Sequence, residues 1–113
     1  MTPPYSLKWS ANAEADVLDI VAYIKNHSGP MIAAGIYKRI KARAEPLANF
    51  PDSGRVVPQF ANIGINDIRQ ITEKPWIIYY KIVDNEIWIL SVIDGRRNIE
   101  EIIFPKIIEG KRI

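Results

Sequence analysis

The sequence predicts an α+β fold: an N-terminal strand, an α-helical hairpin, then a three-stranded antiparallel meander, forming one sheet with the helices packed on one face. Three observations carry this reading. Residues 67–97 contain two long apolar runs, Trp76 to Val83 and Glu86 to Ile93, hinged at Asp84-Asn85 and preceded by a shorter run that ends near Lys74-Pro75. Residues 11–47 contain two stretches in which apolar residues recur at helical spacing. Ahead of them, Tyr5, Leu7 and Trp9 alternate with polar residues between Pro3-Pro4 and Ser10, the pattern of a short strand.

Ser10 stands where a helix N-cap is needed, because its hydroxyl can accept from a free backbone N–H of the first turn, and Glu14 and Asp16 follow where the helix dipole favours negative charge. Val17, Ile20, Val21 and Ile24 then fall at i, i+3, i+4 and i+7, which makes one apolar face to pack on the sheet. Asn26 to Pro30 ends this helix and starts another, since glycine terminates well and proline suits the first helical position. In the second helix Ile32, Ile36, Ile40, Ala44 and Leu47 line one face, with Lys38, Arg39, Lys41 and Arg43 elsewhere. Pro46 removes a backbone donor, so the helix ends between Arg43 and Asn49. Residues 50–66, rich in proline and glycine, read as a loop.

Within the meander, Trp76, Ile78, Tyr80 and Ile82 oppose Ile77, Tyr79, Lys81 and Val83, and Ile87, Ile89, Ser91 and Ile93 oppose Trp88, Leu90 and Val92. Neither side is polar, which implies central strands covered on both faces. The helices cover one face, and a partner chain is the expected cover for the other. The tail, residues 98–113, carries Ile99, Ile102, Ile103, Phe104, Ile107 and Ile108 and is too apolar to lie wholly in water; an added strand or a short helix is expected.

The chain has 113 residues, the size of one domain spanning 1–113. Apolar residues make up 48% and charged residues 25%, which fits a soluble globular protein and argues against disorder. The absence of cysteine rules out a disulfide framework, a thiol nucleophile and a cysteine metal site, and fits a reducing cytoplasm. No stretch is long and apolar enough for a membrane helix, and Met-Thr-Pro-Pro does not resemble a secretory signal. A net charge of +2 is too small to argue for nucleic-acid binding. Its distribution is uneven: acidic Glu14, Asp16 and Asp19 sit near the N-terminus, and Lys and Arg dominate from Lys38 onward.

The residues at the joints are more informative. Phe-Pro-Asp-Ser-Gly-Arg at 50–55, Asp-Ile-Arg-Gln-Ile at 67–71, Trp-Ile-Ile-Tyr-Tyr-Lys-Ile at 76–82 and the run from Glu86 to Asn98 that ends in Asp-Gly-Arg-Arg-Asn together resemble the ParE/RelE superfamily of small bacterial toxins. The resemblance is closer to the ParE branch, with its Pro-x-x-Gly-Arg (Pro51, Gly54, Arg55), an arginine opening the meander (Arg69) and His-Gly-Arg-Arg at its close. Here Asp94, Gly95, Arg96 and Arg97 occupy that last motif, and Asp94 departs from the usual histidine. The resemblance implies the toxin half of a type II toxin–antitoxin pair, with a cognate antitoxin as partner, roles in growth inhibition and plasmid stabilisation, and a homodimer or a hetero-oligomer with the antitoxin as the assembly. No cofactor, metal or membrane is implied. ParE-like relatives are associated with poisoning DNA gyrase; RelE-like relatives cleave messenger RNA in the ribosome.

RNA cleavage by the 2′-hydroxyl needs a base, an acid and cationic stabilisation of the transition state. If the chain is a ribonuclease, Arg69, Tyr79, Lys81 and Arg97 are the candidates, with Tyr80 as a further proton donor and Arg55 and Arg96 as further phosphate ligands. His27, the one histidine, falls in the turn between the helices. RelE-like enzymes carry lysines after the second helix and a tyrosine or histidine near the C-terminus, where this chain has Ala48-Asn49 and Ile102-Ile103-Phe104. A non-enzymatic toxin therefore ranks first, with Arg55, Arg69, Lys81, Asp94, Arg96 and Arg97 as candidate target- or antitoxin-binding residues. Each also has a purely structural reading. Arg55 and Arg69 can pin the loop through Asp52 or Asp67, Trp76, Tyr80 and Trp88 can be core, the basic helix face can be merely solvated, and Asp94 can cap the turn at Gly95.

Overall fold

The computed structural model describes residues 4–97 and 99–110. The chain runs β1 (Ser6–Trp9), α1 (Ala11–Ser28), α2 (Pro30–Ala44) and a 3-10 turn (Glu45–Ala48), then β2 (Arg55–Val56), α3 (Pro58–Ala61), β3 (Ile68–Glu73), β4 (Trp76–Val83), β5 (Glu86–Asp94) and α4 (Ile99–Gly110). The strands form one mixed sheet in the order β1-β5-β4-β3-β2, with β1 parallel to β5 and the other pairs antiparallel. The α+β layout is as the sequence predicts, with five strands among the described residues rather than four. The addition is β2, two residues of the 50–66 segment, which also contains the single turn of α3; both are too short to leave a periodic signal.

The hairpin of α1 and α2 lies on one face of the sheet. Ser10 caps α1 as expected, accepting from Ala13 N–H at 3.0 Å. The core on this side joins Val17, Ile40, Ala44 and Leu47 of the helical layer to Trp76, Ile78, Tyr80, Ile87, Ile89 and Val92 of the sheet, and Tyr5, Leu7 and Trp9 pack against it. Each large side chain so buried contributes about 1.5–3 kcal/mol. Ile32 departs from its expected place: it is 56% exposed, as is its neighbour Met31 at 88%, so the first turn of α2 does not join the core.

The second face is covered by the chain itself, not by a partner. Val57, Phe60, Ile68, Tyr79, Leu90, Ile93 and Ile103 form a second core, closed by α3 and α4, with Phe60 and Phe104 edge-to-face at 5.0 Å. The apolar tail thus docks as a helix over the central strands, which accounts for their two-sided hydrophobicity. Residues 98 and 111–113 of that tail lie outside the described residues.

The alternation along β5 changes phase. The pairing with β4 slips between Tyr79 and Tyr80, whose partners are Ser91 and Ile89, so Leu90 is an extra residue, a β-bulge. Before it Ile87 and Ile89 face the hairpin; beyond it Val92 does so and Ile93 joins the opposite core, the reverse of strict alternation. Buried Asp16 of α1 supports the bulge, accepting from Ser91 Oγ at 2.6 Å and Val92 N–H at 3.0 Å. Ser10 Oγ and Asn12 Nδ2 donate to the Leu90 carbonyl at 3.3 and 3.4 Å.

Candidate functional site

The Pro51 to Arg55 loop rests on two side chains. The Tyr80 hydroxyl donates to the Pro51 carbonyl at 2.8 Å and accepts from Gly54 N–H at 2.9 Å, while Arg69 donates to the Gly54 carbonyl at 2.7 Å. Arg69 also lies 3.7 Å from the Asp52 carboxylate. A Cβ on Gly54 would sit 2.5 Å from the Tyr80 hydroxyl and 2.7 Å from the Gln70 carbonyl, so glycine alone allows this approach. The motif Pro-x-x-Gly-Arg therefore encodes a loop seated on β3 and β4, and Arg69 pins it through Asp52 as the structural reading anticipates.

The Asp94 to Arg97 turn is held from within. Arg97 N–H donates to the Asp94 carbonyl at 3.1 Å, and the Asp94 carboxylate accepts from Arg96 through its backbone N–H (2.9 Å), Nε (3.0 Å) and guanidinium terminus (2.6 Å). Gly95 N–H donates to the Pro75 carbonyl at 2.8 Å, tying this turn to the one between β3 and β4. The hydrogen bonds from Arg96 hold the Asp94 carboxyl below its ordinary value, and Asp94 in return raises the Arg96 guanidinium. Asp94 thus caps the turn, and it also engages the first arginine of the motif.

Asp94, Arg96 and Arg97 line a cleft of about 330 Å³ whose other lining residues are Asp19, Ile20, Tyr23 and Ile24 of α1 and Trp76 of β4. Of these α1 residues the sequence reading places Ile20 and Ile24 on the packing face and Asp19 among the N-terminal acids, and it assigns Tyr23 no role. Asp19 and Tyr23, one turn apart and flanking Ile20 and Ile24, were the available signal that this part of the face stays open. Tyr23 is 63% exposed and stacks on His27 with ring centroids 3.9 Å apart. His27 sits in the last turn of α1, with Nδ1 2.8 Å from the Tyr23 carbonyl, rather than in a free loop.

The remaining candidates lie elsewhere. Tyr79 and Lys81 are buried at 1% and 9% exposure. Tyr79 belongs to the core closed by α3 and α4, and Lys81 pairs across the sheet with Ile68 and Trp88 of the same side. Burial pushes the Tyr79 phenol up to about 12, against the pull of nearby Arg55. Arg55, exposed on β2, registers with Gln70 and through it with Tyr79. Arg69 registers with Tyr80, on the opposite side of the sheet from Tyr79. Asp94 is paired with Trp76, five residues along β4 from Lys81, about 17 Å. The structure thus brings together Asp94, Arg96 and Arg97; it leaves Tyr79 and Lys81 two residues apart on one side of β4, with Arg69 on the other side of the sheet and Arg97 beyond the far end of the strand.

Three of the four basic residues of α2, Arg39, Lys41 and Arg43, make internal contacts, while Lys38 is exposed. Arg39 pairs with Glu73 at 2.8 Å and lies 6.0 Å from the Trp76 ring, Lys41 pairs with Glu14 at 2.8 Å over the Trp9 ring, and Arg43 donates to the Thr72 carbonyl at 3.0 Å. Among the described residues no cluster of His, Asp and Glu suits a metal ion, and no helix is long and apolar enough to cross a membrane.

A helical hairpin and a C-terminal helix on opposite faces of a five-stranded mixed sheet, with a Pro-x-x-Gly-Arg loop and an arginine-rich closing turn, define a small three-layer α+β protein. A family profile described as the ParE toxin of the type II toxin–antitoxin system, parDE, matches residues 7–99, and the chain belongs to this family. Its fold is similar to that of a chain of the chromosomal ParDE toxin–antitoxin system from P. aeruginosa, with a TM-score of 0.69 and 24% identity over 82% of this chain and 98% of that one. It is also similar to a chain of the RelBE2 toxin–antitoxin complex from Mycobacterium tuberculosis, with a TM-score of 0.54 and 17% identity over 80% of this chain and 98% of that one. No curated protein sequence matches the chain significantly.

Proposed function

We propose that this ParE-family toxin arrests growth by binding an essential protein target in the cytoplasm, with DNA gyrase as that target, and is neutralised by a cognate antitoxin. The observation that carries the non-enzymatic reading is the dispersal of the ribonuclease candidates. Tyr79 is 1% exposed in a core closed by the chain's own helices, whereas Arg69 projects from the opposite side of the sheet. Arg69 therefore cannot share a scissile phosphate with Tyr79, and Arg55, on the same side as Tyr79, lies beside a phenol that is enclosed in the core and holds its proton up to about 12. Binding makes no such demand, and Arg55, Arg69, Lys81, Asp94, Arg96 and Arg97 are proposed as the residues that serve it. Of these Arg96 and Arg97 are exposed on the closing turn and Arg55 on β2, and the antitoxin would mask them. The two solved neighbours come from toxin–antitoxin systems, which supports the antitoxin as partner.

The test is induced expression without antitoxin, with DNA, RNA and protein synthesis followed by pulse labelling in the first minutes. Early loss of DNA synthesis with DNA breaks is the expected result. Early loss of translation with cut messenger RNA would replace it with a ribonuclease, and absence of arrest would leave a non-toxic binding protein of the same fold.

A further inference from the structure

We propose that the cleft between α1 and the Asp94–Arg97 turn docks a protein segment offering one large apolar side chain beside a single carboxylate, and that Asp94 sets that count to one by engaging Arg96. This deepens the preceding reading, on which it rests, by giving the partner's chemistry at one place. The cleft floor is apolar, made by Ile20, Ile24 and Trp76, and its volume of about 330 Å³ suits a side chain rather than a whole helix. Tyr23 stands at its edge as an exposed aromatic, the kind of residue that anchors protein interfaces.

The charges choose between partner classes. Four ionic groups line the cleft, Asp19, Asp94, Arg96 and Arg97. Asp94 and Arg96 are joined by three hydrogen bonds and neutralise one another. That leaves Asp19 and Arg97, and among the residues whose side chains are described no ion pair joins either of them to an opposite charge. Arg97 is a seat for one anion, while Asp19 offers an acceptor for a peptide N–H. A nucleic-acid backbone brings several phosphates, for which the cleft offers one uncompensated cation, Arg97, opposed by the Asp19 carboxylate. A peptide with one acidic residue satisfies both walls.

The full-length chain, immobilised, is used to select from a random-peptide phage library, and the winning peptides are then titrated against the chain and its variants. The selected peptides are expected to pair Phe, Trp, Leu or Ile with one Asp or Glu, and Arg97→Ala should weaken them about tenfold or more. Asp94→Asn, which releases Arg96, should shift the selected pattern to two carboxylates. Both positions are on a solvent-facing turn, and circular dichroism verifies that the variants are folded. Peptides without an acid, affinity unmoved by Arg97→Ala, or short oligouridine binding that Arg97→Ala abolishes would overturn the cleft assignment. An unchanged pattern in Asp94→Asn would overturn the role of Asp94. Growth arrest is scored in parallel: lost selection with arrest intact removes only the cleft, whereas intact selection without arrest removes only the toxic function.

Discussion

The carboxylate of Asp16, on the first helix, accepts a 2.6 Å hydrogen bond from the hydroxyl of Ser91, 75 positions further along the chain. The same carboxylate accepts from Val92 N–H at 3.0 Å, so one buried acid joins the hairpin to the strand whose bulge reverses the facing of Val92 and Ile93. Asp16→Ala removes the acceptor and strands a buried backbone donor and a hydroxyl. The expected cost is about 2–4 kcal/mol, measured as a lower urea midpoint with unchanged slope. Ser91→Ala, which removes one donor and leaves Val92 N–H bonded, is expected to cost about 1 kcal/mol.

Tyr80 is the support of the Pro51 to Arg55 loop, and its hydroxyl acts as both donor and acceptor there. Tyr80→Phe keeps the ring in the core and removes only those two bonds, at an expected cost of about 1–3 kcal/mol. Gly54→Ala drives a methyl group to 2.5 Å from that hydroxyl, and a loss of about 2 kcal/mol or more is expected from displacing the loop. Chemical denaturation measures both. Amide exchange at Gly54 should accelerate in Tyr80→Phe, which distinguishes a loosened loop from a generally weakened core.

These two buried contacts mark where the sequence is readable and where it is not. Helical spacing and alternation are local properties, so the hairpin, the Ser10 cap and the meander are legible from Val17, Ile20, Ile24 and the runs around Asp84-Asn85. The residue that inverts β5 is an ordinary leucine, and its cause lies on another element, with Ser10, Asn12 and Asp16. The cover of the second face was missed for the same reason. Phe60 and Ile103 are 43 positions apart in sequence, and only the sheet between them brings them into one core. The candidate arginines were found by type, yet type does not give the side of a strand, so Arg69 and Tyr79 could not be separated in advance.

The Asp94–Arg96 contact predicts a specific pH dependence. Arg96 holds the Asp94 carboxyl below its ordinary value of 3.8 in the folded protein. A depressed folded pKa means that the contribution is fully present above the unfolded value, about 3.9, and is lost as pH falls through the lower folded value. Wild type should therefore lose stability relative to Asp94→Asn as pH drops below about 4, by a small amount because the pair is on the surface. An NMR titration should place the Asp94 carboxyl below the ordinary range, with a return towards it in Arg96→Ala. A carboxyl unmoved by Arg96→Ala would refute the clamp.

The alkaline limb has the opposite sign and reports on the second core. Burial raises the Tyr79 phenol from 10.0 to about 12, since the phenolate cannot be solvated beneath α3 and α4. The folded protein therefore holds this proton more tightly than the unfolded chain. That contribution is complete below pH 10 and is lost as pH rises from about 10 towards 12. Tyr80 is raised as well, chiefly by burial, so the wild-type loss should exceed that of Tyr79→Phe without vanishing in the variant. Urea midpoints at successive pH values above 9 measure the difference, and Ile103→Ala provides the control. Ile103 is 1% exposed in the core around Tyr79, and truncating it admits water to the phenol. If α4 is what desolvates Tyr79, its ionisation, followed by ultraviolet absorbance, should move back towards 10 in Ile103→Ala; an unchanged titration would mean that some other part of the chain keeps the phenol dry.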